Sequence, residues 1–189
     1  TELFVAFFYS HCCIALLGIC GKLANTNPPA MKSKILTITL NPAVDKSCTI
    51  ANIKPEKKLR CSAPKYEPGG GGLNVSRGLV RLGVPSTAFF ISGGRTGELL
   101  ENLLVKEHVD VLPFPSAAET RENFIVTDTA SNEQYRFGMP GDEITASEAD
   151  LILNQLQQLS PFPEIVVISG SMPPGLSPKY LRGLVKGLK

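Results

Sequence analysis

The sequence predicts an α/β domain, a parallel sheet flanked by helices with a small β-sheet lid. Short runs rich in β-branched and aromatic residues alternate with stretches whose apolar residues recur at helical spacing. Helix start and stop signals bracket those stretches. Two further segments alternate apolar and polar residues with no helical stripe. Strands joined by crossover helices pair in parallel and are covered on both faces, so the first two observations set the main sheet and the third sets the lid.

The first strand is ILTITL at 35–40, opened by Met31 in MKSKILTITL. Val75, Leu79 and Leu82, at i, i+4 and i+7, predict a first helix closed by Gly83 and Pro85. STAFFI at 86–91 is the second strand; Leu99, Leu100, Leu103 and Leu104 stripe the next helix; Val109 to Phe114 is the third strand. Ala149, Ile152, Leu156 and Leu159 predict a third helix, with Thr145 and Glu148 as a capping box and Pro161 as its stop. EIVVIS at 164–169 is the fourth strand. The last helix carries Leu181, Leu184, Val185 and Leu188 behind Ser177 as N-cap and Pro178 at the first helical position. The lid segments are Ser47 to Tyr66 and Arg121 to Phe137, about 47–66 and 121–138, with turn signals at Asn52 to Lys57 and Ser131-Asn132.

With 43% hydrophobic and 19% charged residues, the 189-residue chain has the composition of a globular protein with a real core. Nineteen basic against seventeen acidic residues, without a basic block or interleaved aromatics, speak against nucleic acid as a partner. Five cysteines with no C-x-x-C pair fit a reducing, cytoplasmic setting. Residues 1–30 differ. TELFVAFFYSHCCIALLGIC carries one formal charge, Glu2, and lacks the starting Met and basic region of a signal peptide. The expectation is an extension foreign to the domain, with the native start at Met31 and the domain at 31–189, and hence no membrane partner; a membrane anchor is the alternative. His11, Cys12, Cys13 and Cys20 lack metal-ligand spacing.

In an open parallel sheet, ligands bind beyond the carboxyl ends of the strands. Three unusual loops are expected there: Asn41-Pro-Ala-Val-Asp45, bringing a carboxylate; Ile91 to Gly97, with two adjacent glycines; and Ser169 to Gly175, bringing hydroxyls and a rigid proline turn. EPGGGGLNVSRG at 67–78 runs into a helix, so the amides of Gly71, Gly72 and Leu73 are expected to face a ligand, with Asn74 one turn inside. Neither G-x-G-x-x-G nor a Walker loop is present. His108 reads as a residue at a helix C-terminus, and no Ser/His/Asp arrangement is legible.

NPAVD after the first strand, the stretch PEKKLRCSAPKYEPGGGGLNVSRGLVRLG, then RENF, EQYRFGMPG and VISGSMPPG together resemble the ribokinase-like carbohydrate kinases, specifically the PfkB-type 6-phosphofructokinases. The resemblance runs from about Met31 to the end. It implies a ribokinase-like fold and ATP- and Mg2+-dependent phosphorylation of fructose 6-phosphate. It also implies a homodimer formed through the lid. Asp45, Gly69, Gly70 and Asn74 match sugar-binding positions, Lys58 and Arg121 match lid residues near the sugar and its phosphate, Arg136 matches an arginine offered across the dimer, and Ser171 matches a substrate-site serine. The G-A-G-D loop whose aspartate acts as base in that family has no counterpart here, so the chain is expected to be an N-terminal portion without the catalytic Asp and inactive by itself. The alternatives are a 1-phosphofructokinase, a tagatose-6-phosphate kinase, and a catalytically inactive sugar-phosphate-binding fragment.

Overall fold

The computed structural model describes Met31 and residues 33–188. The expectations for residues 1–30, including the anchor and the His11, Cys12, Cys13 and Cys20 group, lie outside the described residues. Along the chain run β1 (Ile35–Thr39), β2 (Ala43–Ile50), β3 (Lys65–Gly69), α1 (Gly71–Arg81), β4 (Thr87–Gly93), α2 (Gly94–Lys106), β5 (Asp110–Ser116), β6 (Arg121–Asp128), β7 (Gln134–Phe137), α3 (Ala146–Gln157), β8 (Ile165–Ile168) and α4 (Pro178–Gly187). They form two four-stranded sheets, β5-β4-β1-β8 and β3-β2-β6-β7. The first is wholly parallel. In the second, β2 and β6 run parallel, and β3 and β7 flank them antiparallel. No described helix is long and apolar enough to cross a membrane.

Strand alternation divides the main core into two layers. Leu36, Ile38 and Phe89 face Ile152, Leu156 and Leu184 of α3 and α4. Ala88 and Phe90 face the other way, onto Leu73, Leu100 and Leu104 of α1 and α2. On that second face β1 presents hydroxyls: Thr37 Oγ1 lies 2.8 Å from Ser76 Oγ, and Thr39 Oγ1 accepts the Leu73 N–H at 2.9 Å. This corrects the stripe expected for the first helix. Its buried face is Gly72, Leu73 and Ser76, while Leu82 is exposed and caps the C-terminus. A threonine-lined strand selects small and polar partners, so the longer apolar stripe lies only partly buried to one side.

Helix ends follow local chemistry. Gly83 and His108, both at positive φ, close α1 and α2 in the same way. In each, the residue after it donates back to the helix, Val84 to the Leu79 carbonyl and Val109 to the Leu104 carbonyl. At α3 the expected capping box is altered: Thr145 Oγ1 donates to the Glu148 carboxylate at 3.2 Å instead of accepting a helix amide. Burial pushes the Glu148 carboxyl up.

Two loop expectations also change. Asp45 is not on a loop but on β2, because the chain turns at Asn41-Pro42 and enters the second sheet at Ala43. The Ile91–Gly97 segment is no loop either: β4 runs to Gly93 and α2 starts at Gly94, with φ 64° at Gly94 making the corner. Glu119 fills the space there, accepting the Thr96 N–H at 2.7 Å at the start of α2.

The glycines of α1 separate two effects. A Cβ on Gly72 would lie 2.6 Å from Thr39 Oγ1 and 2.8 Å from the Ile38 carbonyl oxygen, whereas one on Gly78 would meet nothing within 4 Å. Gly72→Ala is expected to cost about 1–3 kcal/mol by overpacking against backbone, and Gly78→Ala to add about 0.5–1 kcal/mol by helix propensity. Urea unfolding of the two variants checks both; a Gly72→Ala chain as stable as the parent would contradict the first.

Candidate functional site

The carboxyl ends of β1 and β8 meet the second sheet at its β2–β6 pair, and polar side chains gather at that junction. The register aligns Ala43 with Arg121 and Asp45 with Asn123, which puts all four on one face with Gly69 opposite Ala43. Asn123 Nδ2 donates to Asp45 Oδ1 at 2.8 Å. A Cβ on Gly69 would stand 2.8 Å from that same oxygen, so glycine is what lets the carboxylate lie against β3.

Arg121 ties the group together. Its Nη1 donates to Asn123 Oδ1 at 3.0 Å and to the Met139 carbonyl at 2.8 Å; its Nη2 donates to the Asn41 carbonyl at 3.1 Å and to Ser171 Oγ at 3.3 Å. Asn41 Nδ2 donates to the same Ser171 hydroxyl at 3.1 Å. One guanidinium thus ties Asn123 of its own strand to the turn after β1, the loop after β8 and the segment after β7. Arginine suits this role because its donors diverge in a fixed plane. Beside it opens a cleft of about 580 Å³, lined among others by Asn41, Arg121, Met139, Ser171 and Pro173.

The glycine run behaves differently from its expectation. The Gly72 N–H donates to the Ser169 carbonyl at 2.9 Å and the Leu73 N–H to Thr39 Oγ1, so these two amides bind the sheet and do not face a ligand. Helix α1 begins inside the run, and its first turn docks where a ligand was expected. Gly70 has φ 127° and makes the corner between β3 and α1.

Asn74 is exposed and reaches the group through a neighbour. Arg77 Nη1 donates to Asn74 Oδ1 and to the Pro68 carbonyl, each at 3.0 Å, and its Nε and Nη2 clasp both carboxylate oxygens of Glu107 at 2.6 and 2.8 Å. That hydrogen-bonded arginine holds the Glu107 carboxyl below its ordinary value. The structure therefore brings together Asp45, Gly69, Arg121 and Ser171, with Gly70 and Asn74 adjoining. Lys58 is exposed in the irregular segment 51–64, and Arg136 is exposed on β7. Pairing with Ile125 puts Arg136 on the Asp45 face of its sheet. Reading the sequence singled out neither Asn123 nor Arg77. Alternation counted from Arg121 would have found Asn123; Arg77 gives no signal of its own, since its carboxylate partner is thirty residues away.

The family model for the pfkB family of carbohydrate kinases matches residues 31–186. The ATP-dependent 6-phosphofructokinase isozyme 2 of Mycobacterium tuberculosis is 44% identical over 149 residues, 79% of this chain and 44% of that protein. The isozyme of the same name from Escherichia coli is 44% identical over 152 residues, covering 80% of this chain and 49% of its own length. Among solved structures, phosphofructokinase-2 from Escherichia coli in complex with fructose-6-phosphate superposes with a TM-score of 0.77 at 43% identity, over 82% of this chain and 51% of that one. The chain spans about half the length of the relatives it matches.

The Arg77–Glu107 clasp predicts a pH signature. A carboxylate whose folded pKa is depressed stabilises the fold fully above its ordinary value, 4.5, and loses that contribution as pH falls through the lower folded value. Glu107→Gln is expected to cost about 1–2 kcal/mol at pH 7, with parent and variant converging in acid. Urea midpoints measured from pH 7 to 3 check this; a gap that stays constant would contradict it.

Proposed function

The chain belongs to the pfkB family of carbohydrate kinases, and from that membership we propose that it supplies the sugar-binding half of an ATP-dependent 6-phosphofructokinase. The reaction is transfer of the γ-phosphoryl group to the C1 hydroxyl of fructose 6-phosphate. The observation that carries the substrate class is the Asp45–Asn123–Arg121–Ser171 group. A carboxylate, amides and a hydroxyl converge at the edge of a cleft, with an arginine fixing their spacing. Asp45 has acceptor capacity beyond its Asn123 bond, which suits sugar hydroxyls. Asn74 and the backbone at Gly69 and Gly70 extend the polar edge.

Lys58 and Arg121 are assigned to the phosphate end. Arg121 has most of its donors engaged within the protein, so its part is to hold Ser171, Asn41 and Asn123 in place while lending positive charge to the cleft. Lys58 stands exposed on the irregular segment 51–64. The family's phosphoryl donor is ATP with Mg2+, which supplies the transferable group. Among the described residues no group of three or more His, Cys, Asp or Glu could hold a metal ion, so no residue of this chain is assigned to it. We assign the protein to the cytoplasm, a setting that suits Cys48 and Cys61 as free thiols.

A homodimer through the lid is the proposed assembly. Phe124 pairs with Phe137, and Val126 with Tyr135, giving the second sheet an apolar outer face on which Phe137 is 52% exposed. Arg136 lies on the other face. A dimer through the Phe124 face keeps Arg136 with its own site, and one through the Asp45 face offers it to the neighbour.

Two measurements test these assignments in a chain extended to the full length of its relatives. Arg121→Ala is expected to lower kcat/KM for fructose 6-phosphate by roughly 2–4 kcal/mol of transition-state binding, and Asp45→Asn to weaken sugar binding with the fold intact. A coupled assay of ADP release across fructose 6-phosphate, fructose 1-phosphate and tagatose 6-phosphate reads both; an Arg121→Ala enzyme with unchanged kcat/KM sinks the assignment. For Arg136, an Arg136→Ala subunit is mixed with one lacking the catalytic aspartate. Recovered activity marks service to the neighbour, and proven subunit exchange without recovery marks service to its own site.

A further inference from the structure

The two described cysteines lie together although 13 positions separate them in sequence. Cys48 is half-buried on β2, and Cys61 is exposed in the irregular segment that returns toward β3. The backbone sets them diagonally across one antiparallel pair, on the same face. The Ser62 N–H donates to the Thr49 carbonyl at 2.9 Å, and Ser62 Oγ accepts the Thr49 N–H at 3.0 Å, clamping the residue after each cysteine to its counterpart. Burial, and after it the nearby Cys61 thiol, raises the Cys48 thiol above its ordinary value.

We propose that Cys48 and Cys61 form a reversible disulfide that closes the lid segment 48–61 into a ring, with a peroxide or a small-molecule disulfide of the glutathione type as oxidant. Nothing in the kinase chemistry uses either thiol, so the inference stands apart from the proposed function. A disulfide needs the two sulfurs to close to about 2.05 Å, and the partner that must move is an exposed irregular segment, not a strand. The reaction balances in either form. With hydrogen peroxide, the exposed Cys61 sulfur displaces hydroxide to become a sulfenic acid. The Cys48 sulfur then attacks it; the S–S bond forms, the S–O bond breaks, and water leaves with the Cys48 proton. Two thiols are oxidised and one peroxide is reduced to two waters. With glutathione disulfide, Cys61 takes up one glutathionyl group and releases one glutathione, and Cys48 displaces the second. Lys57, Lys58 and Arg60, immediately before Cys61, draw an anionic disulfide toward it.

The ring encloses Lys54, Lys57, Lys58 and Arg60. Oxidation therefore restricts the travel of the basic loop, and reduction releases it.

The test uses the full chain treated with hydrogen peroxide or with glutathione disulfide, alkylated, denatured and digested with trypsin. The expected product is the peptide 47–57 joined to the peptide 61–65, lighter by two hydrogens than their sum, formed several-fold faster in the native chain than in urea and reversed by dithiothreitol. Cys48→Ser should leave Cys61 carrying a persistent sulfenic acid or a single glutathione. In the native oxidised chain, tryptic cleavage after Lys57 and Lys58 should slow several-fold relative to the reduced chain. The proposal is overturned by glutathione accumulating separately on both cysteines of the parent chain. It is equally overturned by links that join either cysteine to Cys12, Cys13 or Cys20 in its place, by equal rates in urea, or by cleavage that oxidation leaves unchanged.

Discussion

The position of the site rests on how closely the first turn of α1 docks on the main sheet. Gly71 and Gly72 leave no room for a side chain: a Cβ on Gly71 would stand 2.5 Å from the Gly170 nitrogen, and one on Gly72 would meet Thr39 and the Ile38 carbonyl. That approach allows the Gly72 amide to reach the Ser169 carbonyl and the Leu73 amide to reach Thr39. Helix α1 is therefore bonded to the ends of β1 and β8 at once. Because β3 runs into α1 through Gly70, the same docking sets where Gly69, and with it the Asp45 carboxylate, can lie. The run of glycines serves backbone-to-backbone approach, and the close packing of Gly69 against Asp45, two residues earlier, follows from it.

The main sheet was legible because its signals are local. Short β-rich runs at Leu36–Ile38, Ala88–Ile91 and Val166–Ile168 have one reading when helical stripes separate them, and each became a strand of the parallel sheet. What the pattern could not supply was which strand face each helix meets. The stripe Val75-Leu79-Leu82 is a sound amphipathic pattern, yet β1 turns Thr37 and Thr39 toward α1, and hydroxyls pair with Ser76 and a backbone amide before they pair with leucine. Strand bounds failed for a related reason. Proline at 42 and the acidic Asp45 read as a loop, whereas β2 starts at Ala43 because β3 and β6 offer partners on both sides, and those partners lie 26 and 78 positions away along the chain.

The site shows the same division. Residue types and a resemblance named Asp45, Arg121 and Ser171, but their grouping depends on one arginine whose acceptors come from four separate parts of the chain. No window of sequence contains that information. Asn123 is the instructive omission, since it needs only the two-residue period of a strand to join Arg121 on one face. Lys58 and Arg136 are the opposite case, named by resemblance alone and held by no local pattern in the described structure.

The second sheet explains why those two stand apart. It is a narrow, four-stranded layer with one face carrying Asp45, Asn123 and Arg121 and one partly exposed face carrying Phe124 and Phe137, and its stability depends on local ties more than on a core. Lys46 packs its amino group over the Tyr66 and Phe124 rings, 5.3 and 5.4 Å from their centroids, with Glu122 at 3.7 Å. Asp128 accepts the amides of Asn52, Ile53 and Ala130, pinning the far end of β2 to the β6–β7 turn. Those hydrogen bonds hold its carboxyl below the ordinary range. Both ties secure the strands and leave the loop between Ile53 and Cys61 with none of them. The second sheet is thus tied where Asp45 and Asn123 stand side by side, while the segment that carries Lys58 lies outside both ties, so the placement of the anchors, and not any weakness of the sheet, sets the two parts apart.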